Sequence, residues 1–486
     1  MDIHGGERRL LDATPKGLYI AGRWREAAAS FPVEDPATGR TLCEVADAAP
    51  EDGRAALDAA CAAAESWAAT APRERGEILR RAYQLMVDRT ADLGRLMTLE
   101  MGKSITESEG EISYAAEFFR WFAEEAVRVA GRYGREPAGG YRILTTRGPV
   151  GSCLLITPWN FPAAMGTRKI APAIAAGCTM IMKPAALTPL TMLAVAQLLE
   201  DAGLPPGVLN VVPTTSAAAV TGPLLDDPRL RKLSFTGSTE VGRDLLRRAA
   251  GNLLRTSMEL GGNAPFVVFE DADVDHAVEQ AVIAKMRNIG QSCVAANRFL
   301  VARPLVDTFA HGLADRMGRL RLGPGTAPGS DVGPLVEEKA RTKVTALVED
   351  AVARGAKILT GGAVPSGPGW FYPPTVLVGV PTQADMFRTE IFGPVAPIYG
   401  FDTEAEGIAL ANDTEFGLVS YAFTRDLSRG LRAVDRLQTG MVGLNRGLLS
   451  NPAAPFGGIK HSGIGREGGA EGIEEYLTLK YAAVGD

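Results

Sequence analysis

Hydrophobic and polar positions along the 486-residue chain change texture near residue 150. Before that point the spacing is helical. An alanine-rich segment, Asp52 to Ala69, carries Glu51, Arg54 and Asp58 on its polar side. From Leu93 to Ala130 the pattern is again helical, with Phe118, Phe119, Trp121 and Phe122 in a stripe that reads as core rather than pocket wall. From Val150 onward, short β-rich runs (SCLLIT, CTMIMKP, VLNVVP, KLSFTG) alternate with helical segments, the first of them opening after Pro162. Such alternation predicts βαβ units and a parallel sheet whose ligands gather at the carboxyl ends of the strands. A second series, FVVFED, RFLVAR and YPPTVLVGV with helices between, predicts a second α/β unit after about residue 262. RYGREPAGGYRILTTRG reads as a strand pair and EEYLTLKYAAV as a further strand; neither fits the two cores, and both read as assembly strands.

Composition narrows the class. Hydrophobic residues make up 46% and charged residues 22%, ordinary values for a globular chain. A net charge of -6 with both signs interspersed offers no basic stripe to nucleic acid. The most apolar region, Val150 to Met182, is broken by Arg168, Lys169 and several prolines, so no membrane span is expected. The opening MDIHGGERRLLDATPKG lacks the apolar stretch of a secretory signal. Five cysteines without CxxC spacing argue against a disulfide framework and against a zinc site. A cytoplasmic protein without a metal is the expectation.

Candidate chemistry centres on Cys293 in RNIGQSCVAANR. A thiol is mostly protonated at neutral pH, so a nucleophilic cysteine needs help from its surroundings. Gly290 is expected to end a helix running from Asp275 to Arg287, leaving Gln291 and Ser292 to present the thiol at a turn. The alternative is a buried structural cysteine. None of the four histidines stands in a context that suggests a Cys–His dyad, so a different base is required. Glu259 in MELGGNAP is the candidate: a carboxylate ahead of the Gly261-Gly262 turn, desolvated, would have a raised pKa suited to taking a proton from water. An ordinary surface carboxylate is the competing reading. Asn160 in ITPWNFP, just after a strand, can donate to a developing oxyanion, or can cap a helix. FTGSTEVG places Gly237 and Gly242 at a strand-to-helix turn that suits a pyrophosphate, though it is not a GxGxxG motif.

Taken in order, ITPWNFP, MKPA, FTGSTEVG, MELGGNAP, GQSC, EIFGPV and PFGGIKHSGIGREGG resemble the aldehyde dehydrogenase superfamily, from LYIAGRW to EEYLTLKY. The resemblance implies an α/β fold with three parts. They are a Rossmann-type cofactor domain (1–128 and 148–261), an α/β catalytic domain (262–468) and a small β oligomerisation arm (129–147 and 469–486). It implies Cys293 as nucleophile, Glu259 as general base and Asn160 as oxyanion donor with the Cys293 N–H. NAD or NADP would lie along Thr157, Pro158, Trp159, Gly237, Ser238 and Leu260, with Lys183 and position 186 at the adenosine ribose and Glu390 and Phe392 at the nicotinamide ribose. A homodimer or homotetramer acting on a small-molecule aldehyde is implied, with no nucleic-acid or membrane partner.

Within the superfamily the chain is most similar to succinate-semialdehyde dehydrogenases, through NFPAAMGTRKIAPAIAAGC and LSNPAAPFGGIKHSGIGREGG. That likeness implies Arg168, Arg287 and Ser450 as the clamp for a distal carboxylate, to which guanidinium groups are suited. Two departures bear on the cofactor. Ala186 in KPAAL replaces a glutamate common in the family, and VVPTTSAAAVTG lacks an early glycine. With no carboxylate there to oppose a 2′-phosphate, NADP is expected to be accepted. Other readings are a glutarate-semialdehyde or broad-range aldehyde dehydrogenase, a CoA-acylating enzyme, and a catalytically silent homologue.

Overall fold

The computed structural model describes residues 5–485. Residues 1–4 and Asp486, the outer ends of the first and last spans assigned above, lie outside the described residues. Two large sheets organise the molecule, one of eight strands and one of seven. At the centre of the first, Leu209–Val211, Met180–Lys183, Ser152–Ile156, Leu230–Thr236 and Arg255–Glu259 lie side by side in that order, all parallel. Every residue of Ser152–Ile156 and Met180–Lys183 is buried, because helices cover both faces; that is why these strands read as unbroken apolar runs. Leu18–Ile20 closes one side antiparallel, and Gly463–Ile464 pairs with Met258 and Glu259 at the other. The chain steps outward from Ser152–Ile156 through the strands at 180 and 209, then returns to lay Leu230–Thr236 on its other flank. The order of strands therefore reverses beside Ile156, and a ligand crevice opens at such a reversal.

The second sheet runs Lys357–Thr360, Thr375–Val378, Val395–Phe401, Ala296–Ala302, Ala264–Val268, Val419–Phe423, Met441–Leu444. Only its first pairing is antiparallel. Leu260 to Asn263 join the last residue of Arg255–Glu259 to the first of Ala264–Val268, so the carboxyl end of one sheet faces the amino end of the other. Three antiparallel strands, Leu477–Val484, Arg142–Pro149 and Arg132–Arg135, form a separate ribbon that leaves Tyr133, Leu479 and Tyr481 exposed.

Local sequence explains where helices begin and end. Pro50–Ala69 opens with proline, and the Asp52 carboxylate accepts the Ala49 N–H at 2.9 Å. The helical stretch read from Leu93 to Ala130 is two helices, Thr90–Met101 and Ile105–Glu125. Gly102 ends the first in a left-handed conformation (φ 96°), and Ser104 caps the second by accepting the Glu107 N–H. Phe118, Phe119 and Phe122 are core residues, while Trp121 is half-buried and donates from its indole N–H to the Gly469 carbonyl. The helix expected after Pro162 is Ala164–Ala176. The one expected to reach Arg287 stops at Met286, because Asn288, Ile289 and Gly290 take consecutive left-handed conformations (φ 55°, 61° and 72°).

Candidate active site

The turn after Ser152–Ile156 and the turn before Ala296–Ala302 meet across the space between the sheets. Asn160 is 3% exposed, and its Nδ2 donates to the Gln291 carbonyl at 3.1 Å. It caps no helix: the first N–H groups of Ala164–Ala176 go elsewhere, those of Ala163 and Ala164 donating to the Glu111 carboxylate. From the other side, the left-handed turn at 288–290 brings Cys293 to a wall of the same space. Gly262 packs so closely on the Cys293 carbonyl that a Cβ there would lie 2.4 Å from it. Cys293 is half-buried and lines a pocket. Burial pushes that thiol up to about 12, helped by the charges of Glu390 and Glu259 and opposed by Arg168 and Arg287. The resting side chain is therefore a thiol.

Glu259 ends its strand buried, and neither carboxylate oxygen has a hydrogen-bond partner among the described residues. It is not a surface carboxylate. Burial holds its pKa well above the carboxylate range, with repulsion from Glu467 in second place and Lys169, Arg168 and Arg466 opposing. Glu467 in turn accepts from Lys169 Nζ and lies 3.5 Å from an Arg168 guanidinium nitrogen.

Along the crevice at the strand reversal, Trp159 meets Phe392 edge to face with ring centroids 5.4 Å apart. Ser238 caps helix Thr239–Ala249, and the Gly237 N–H donates to the Glu259 carbonyl at 3.0 Å. A Cβ on Gly242 would strike Leu260 at 2.4 Å. Thr157 is buried and Pro158 half-buried at the start of this wall. Lys183 ends its strand buried, its ammonium without a hydrogen-bond partner among the described residues, and burial alone lowers its pKa to about 8. Ala186 follows in the next turn, half-buried. Glu390 accepts the Gly262 N–H at 3.0 Å, its pKa raised to about 7 by burial against the pull of Lys343 and Lys285. Phe392 beside it is left-handed, at φ 57°.

The pocket that Cys293 lines is narrow and is walled also by Tyr114, Phe161, Met165, Arg168, Arg287, Ser292, Val294, Ser450 and Phe456. Arg287 donates to Ser450 Oγ at 2.8 Å. Arg168 donates to Tyr114 Oη at 2.7 Å and stacks on Phe456, 4.4 Å from the ring centre. The two arginines and the serine singled out in the sequence thus share one cavity with the nucleophile candidate.

The aldehyde dehydrogenase family model matches residues 24–482. The chain belongs to the aldehyde dehydrogenase family. It is 58% identical over 445 residues to a succinate-semialdehyde dehydrogenase of Paenarthrobacter nicotinovorans, covering 92% of this chain and 99% of that one. It is 50% identical over 470 residues to a glutarate-semialdehyde dehydrogenase of Pseudomonas putida, covering 96% and 97%. The crystal structure of an Escherichia coli NADP-dependent enzyme superposes with a TM-score of 0.96 at 48% identity, covering 98% of this chain and 99% of that one.

Within this family framework, several residues around the site escaped the motif reading. Tyr114 precedes the aromatic stripe by one helical turn and reaches the pocket, while Phe118 backs Arg168 from behind at 5.2 Å. Lys169 and Glu467 pair across the chain, and Lys103, Glu107, Glu111, Asn288 and the Gln291 carbonyl tie the two site turns together. The available signal was charge inside apolar runs: Arg168 and Lys169 stand between NFPAAMGT and IAPAIAAGC and had to find buried partners.

Proposed function

We propose that the chain oxidises a small aldehyde carrying a distal carboxylate, succinate semialdehyde first among them, to the acid, using NAD or NADP. The observation that carries this reading is the pocket in which Cys293 shares walls with Arg168, Arg287 and Ser450. A carboxylate held by the guanidinium groups would lie a few bonds from the carbon that meets the thiol.

The crevice residues fit a dinucleotide. Lys183 is a largely buried lysine on which no charged neighbour acts, the Gly237–Ser238 turn opens a helix N-terminus, and Glu390 uses one carboxylate oxygen on Gly262. In this reading the sheet built on Ser152–Ile156 serves the cofactor (1–128 and 148–261), the second sheet presents the nucleophile (262–468), and the ribbon (129–147 and 469–486) assembles a dimer or tetramer. The bound nicotinamide supplies the hydride acceptor. The Cys293 thiol gives its proton to water, which carries it to solvent, and the sulfur adds to the carbonyl carbon, while Asn160 Nδ2 with the Cys293 N–H holds the oxyanion. Once hydride has left that carbon, the acyl group is a thioester on Cys293. Glu259 then takes a proton from water, which attacks the thioester and frees acid and thiol. A base already present for water favours hydrolysis over transfer to CoA. NADP acceptance follows from Lys183 and Ala186: no carboxylate acts on the lysine, and a 2′-phosphate would supply its missing counter-charge.

A glutarate-semialdehyde substrate is the second reading, supported by the Pseudomonas putida relative. The test is a kinetic panel of aldehydes with and without a terminal carboxylate, run with each cofactor. Succinate semialdehyde should exceed butanal in kcat/KM by more than tenfold, about the worth of one charge-assisted hydrogen bond. Equal values for the two would overturn the proposal.

A further inference from the structure

A buried ion pair lies behind the oxyanion turn. Lys103 and Glu111, each 1% exposed, meet at 2.5 Å. Lys103 Nζ also donates to the Asn160 carbonyl at 2.9 Å and sits over the Phe161 ring, 4.4 Å from its centre. The second oxygen of Glu111 accepts the N–H groups of Ala163 and Ala164 at 2.9 and 3.1 Å. One turn earlier on the same helix, Glu107 accepts the Asn288 N–H, and Asn288 Nδ2 bridges the carbonyls of Asn160 and Gln291, both at 2.8 Å. The backbone of Asn160 is therefore gripped by a cation and an amide, and the chain just after it by the carboxylate that holds the cation. Burying such a pair gains little net stability, because desolvation offsets the attraction. What it does supply is direction: the peptide that follows the Asn160 side chain, and the chain just after it, are held in place, and Asn288 ties the Asn160 carbonyl to the turn that carries Cys293.

We propose that Lys103 and Glu111 are positioning residues that set the aim of the Asn160 amide at the reacting oxygen. The inference rests on Asn160 being the oxyanion donor. Neither side chain lines the aldehyde pocket, so their effect should fall on the chemical step rather than on substrate binding. A small misplacement of a catalytic group can cost about a hundredfold in rate.

The experiment measures kcat, aldehyde KM and thermal midpoint for Lys103→Met, alone, in an Asn160→Ala background, and paired with Glu111→Gln. Lys103→Met should lower kcat by roughly ten- to a hundredfold with KM little changed. In the Asn160→Ala background the same substitution should cost nothing further, since no amide remains to be aimed. An undiminished second loss there would overturn the proposal. Lys103→Met alone strands the Glu111 charge and is expected to lower the midpoint. The pair with Glu111→Gln removes that charge and should restore the midpoint while kcat stays low. Recovery of kcat together with the midpoint would show that the pair merely holds the fold. Wild-type activity in Asn160→Ala alone would instead remove the oxyanion reading on which the inference rests.

Discussion

Replacing Arg287 by alanine takes away a half-buried guanidinium whose side-chain hydrogen bond, among the described residues, goes to Ser450 Oγ at 2.8 Å. The Tyr114 and Phe161 rings flank it at 5.7 and 5.0 Å, leaving donors free toward the pocket. Arg168 is differently placed. It is 2% exposed, lies 3.5 Å from a Glu467 oxygen, donates to Tyr114 and stacks on Phe456, so its charge is partly answered from within the protein, although its Nε and Nη1 have no hydrogen-bond partner among the described residues. Arg287, less buried and without an ion pair among the described residues, should therefore contribute more to reading the substrate carboxylate, with Arg168 adding positive potential from the same pocket. A hydrogen bond to a charged partner contributes about 1.5 to 3 kcal/mol, which converts to a loss of about ten- to a hundredfold in kcat/KM. That loss should appear for succinate semialdehyde and be nearly absent for butanal. Arg168→Ala should slow both substrates, because it strands Glu467 with Lys169 alone and removes a cation acting on Glu259 and Cys293.

The assay is the initial rate of nicotinamide reduction for each aldehyde in wild type, Arg287→Ala and Arg168→Ala, reported as the ratio of the two kcat/KM values. The ratio should fall by about ten- to a hundredfold in Arg287→Ala and change far less in Arg168→Ala. Equal losses for charged and neutral aldehydes in Arg287→Ala would refute the reasoning and leave that arginine a scaffold residue.

Cys293→Ala should abolish turnover while cofactor binding, followed by fluorescence titration, persists; substantial turnover in the variant would remove the covalent mechanism. Glu259→Gln should release a first equivalent of reduced nicotinamide and then stall at the thioester, visible as a burst with no steady state. Water activation needs Glu259 deprotonated, and burial with Glu467 raises its pKa, so the hydrolytic rate should climb as pH rises through that raised value. Glu467→Gln removes a repelling charge, lowers that pKa and should move the climb to lower pH; an unmoved profile counts against the coupling. On the cofactor side, Lys183 loses its proton near pH 8, so KM for NADP should rise above about pH 8 while KM for NAD stays flatter. Ala186→Glu should shift preference toward NAD, and a wild type with no measurable NADP affinity would contradict the argument from missing charge.

The parts of the site legible in the sequence were those written in contiguous residues. A strand buried on both faces must be an apolar run, and the residues just beyond its carboxyl end line a crevice; Asn160 and Gly237 follow from that rule, whereas Glu259 was legible from the Gly261-Gly262 turn after it and Lys183 only through the family resemblance. A helix start was legible where a side chain announces it, as after Pro162, whereas the helix read from Asp52 starts two residues earlier, at Pro50. The break at Gly102 was missed because apolar spacing continues across it, and one glycine inside a helical pattern is a weak stop signal. Closure of the fold was not legible. Arg168 and Glu467 lie in segments far apart in sequence, and either alone reads as a surface charge.

Their setting nevertheless constrained the answer. Helix Ala164–Ala176 is buried along its whole length, so Arg168 and Lys169 could not reach water, and two adjacent buried cations require anions from elsewhere in the chain. Glu467 partly answers both, and its proximity then raises the pKa of Glu259. The charges that hold the pocket arginine in place are thus the same charges that tune the base. In the proposed mechanism the positive potential of the pocket and water activation are therefore electrostatically linked, and a substitution at Arg168, Lys169 or Glu467 should shift the pH dependence of hydrolysis.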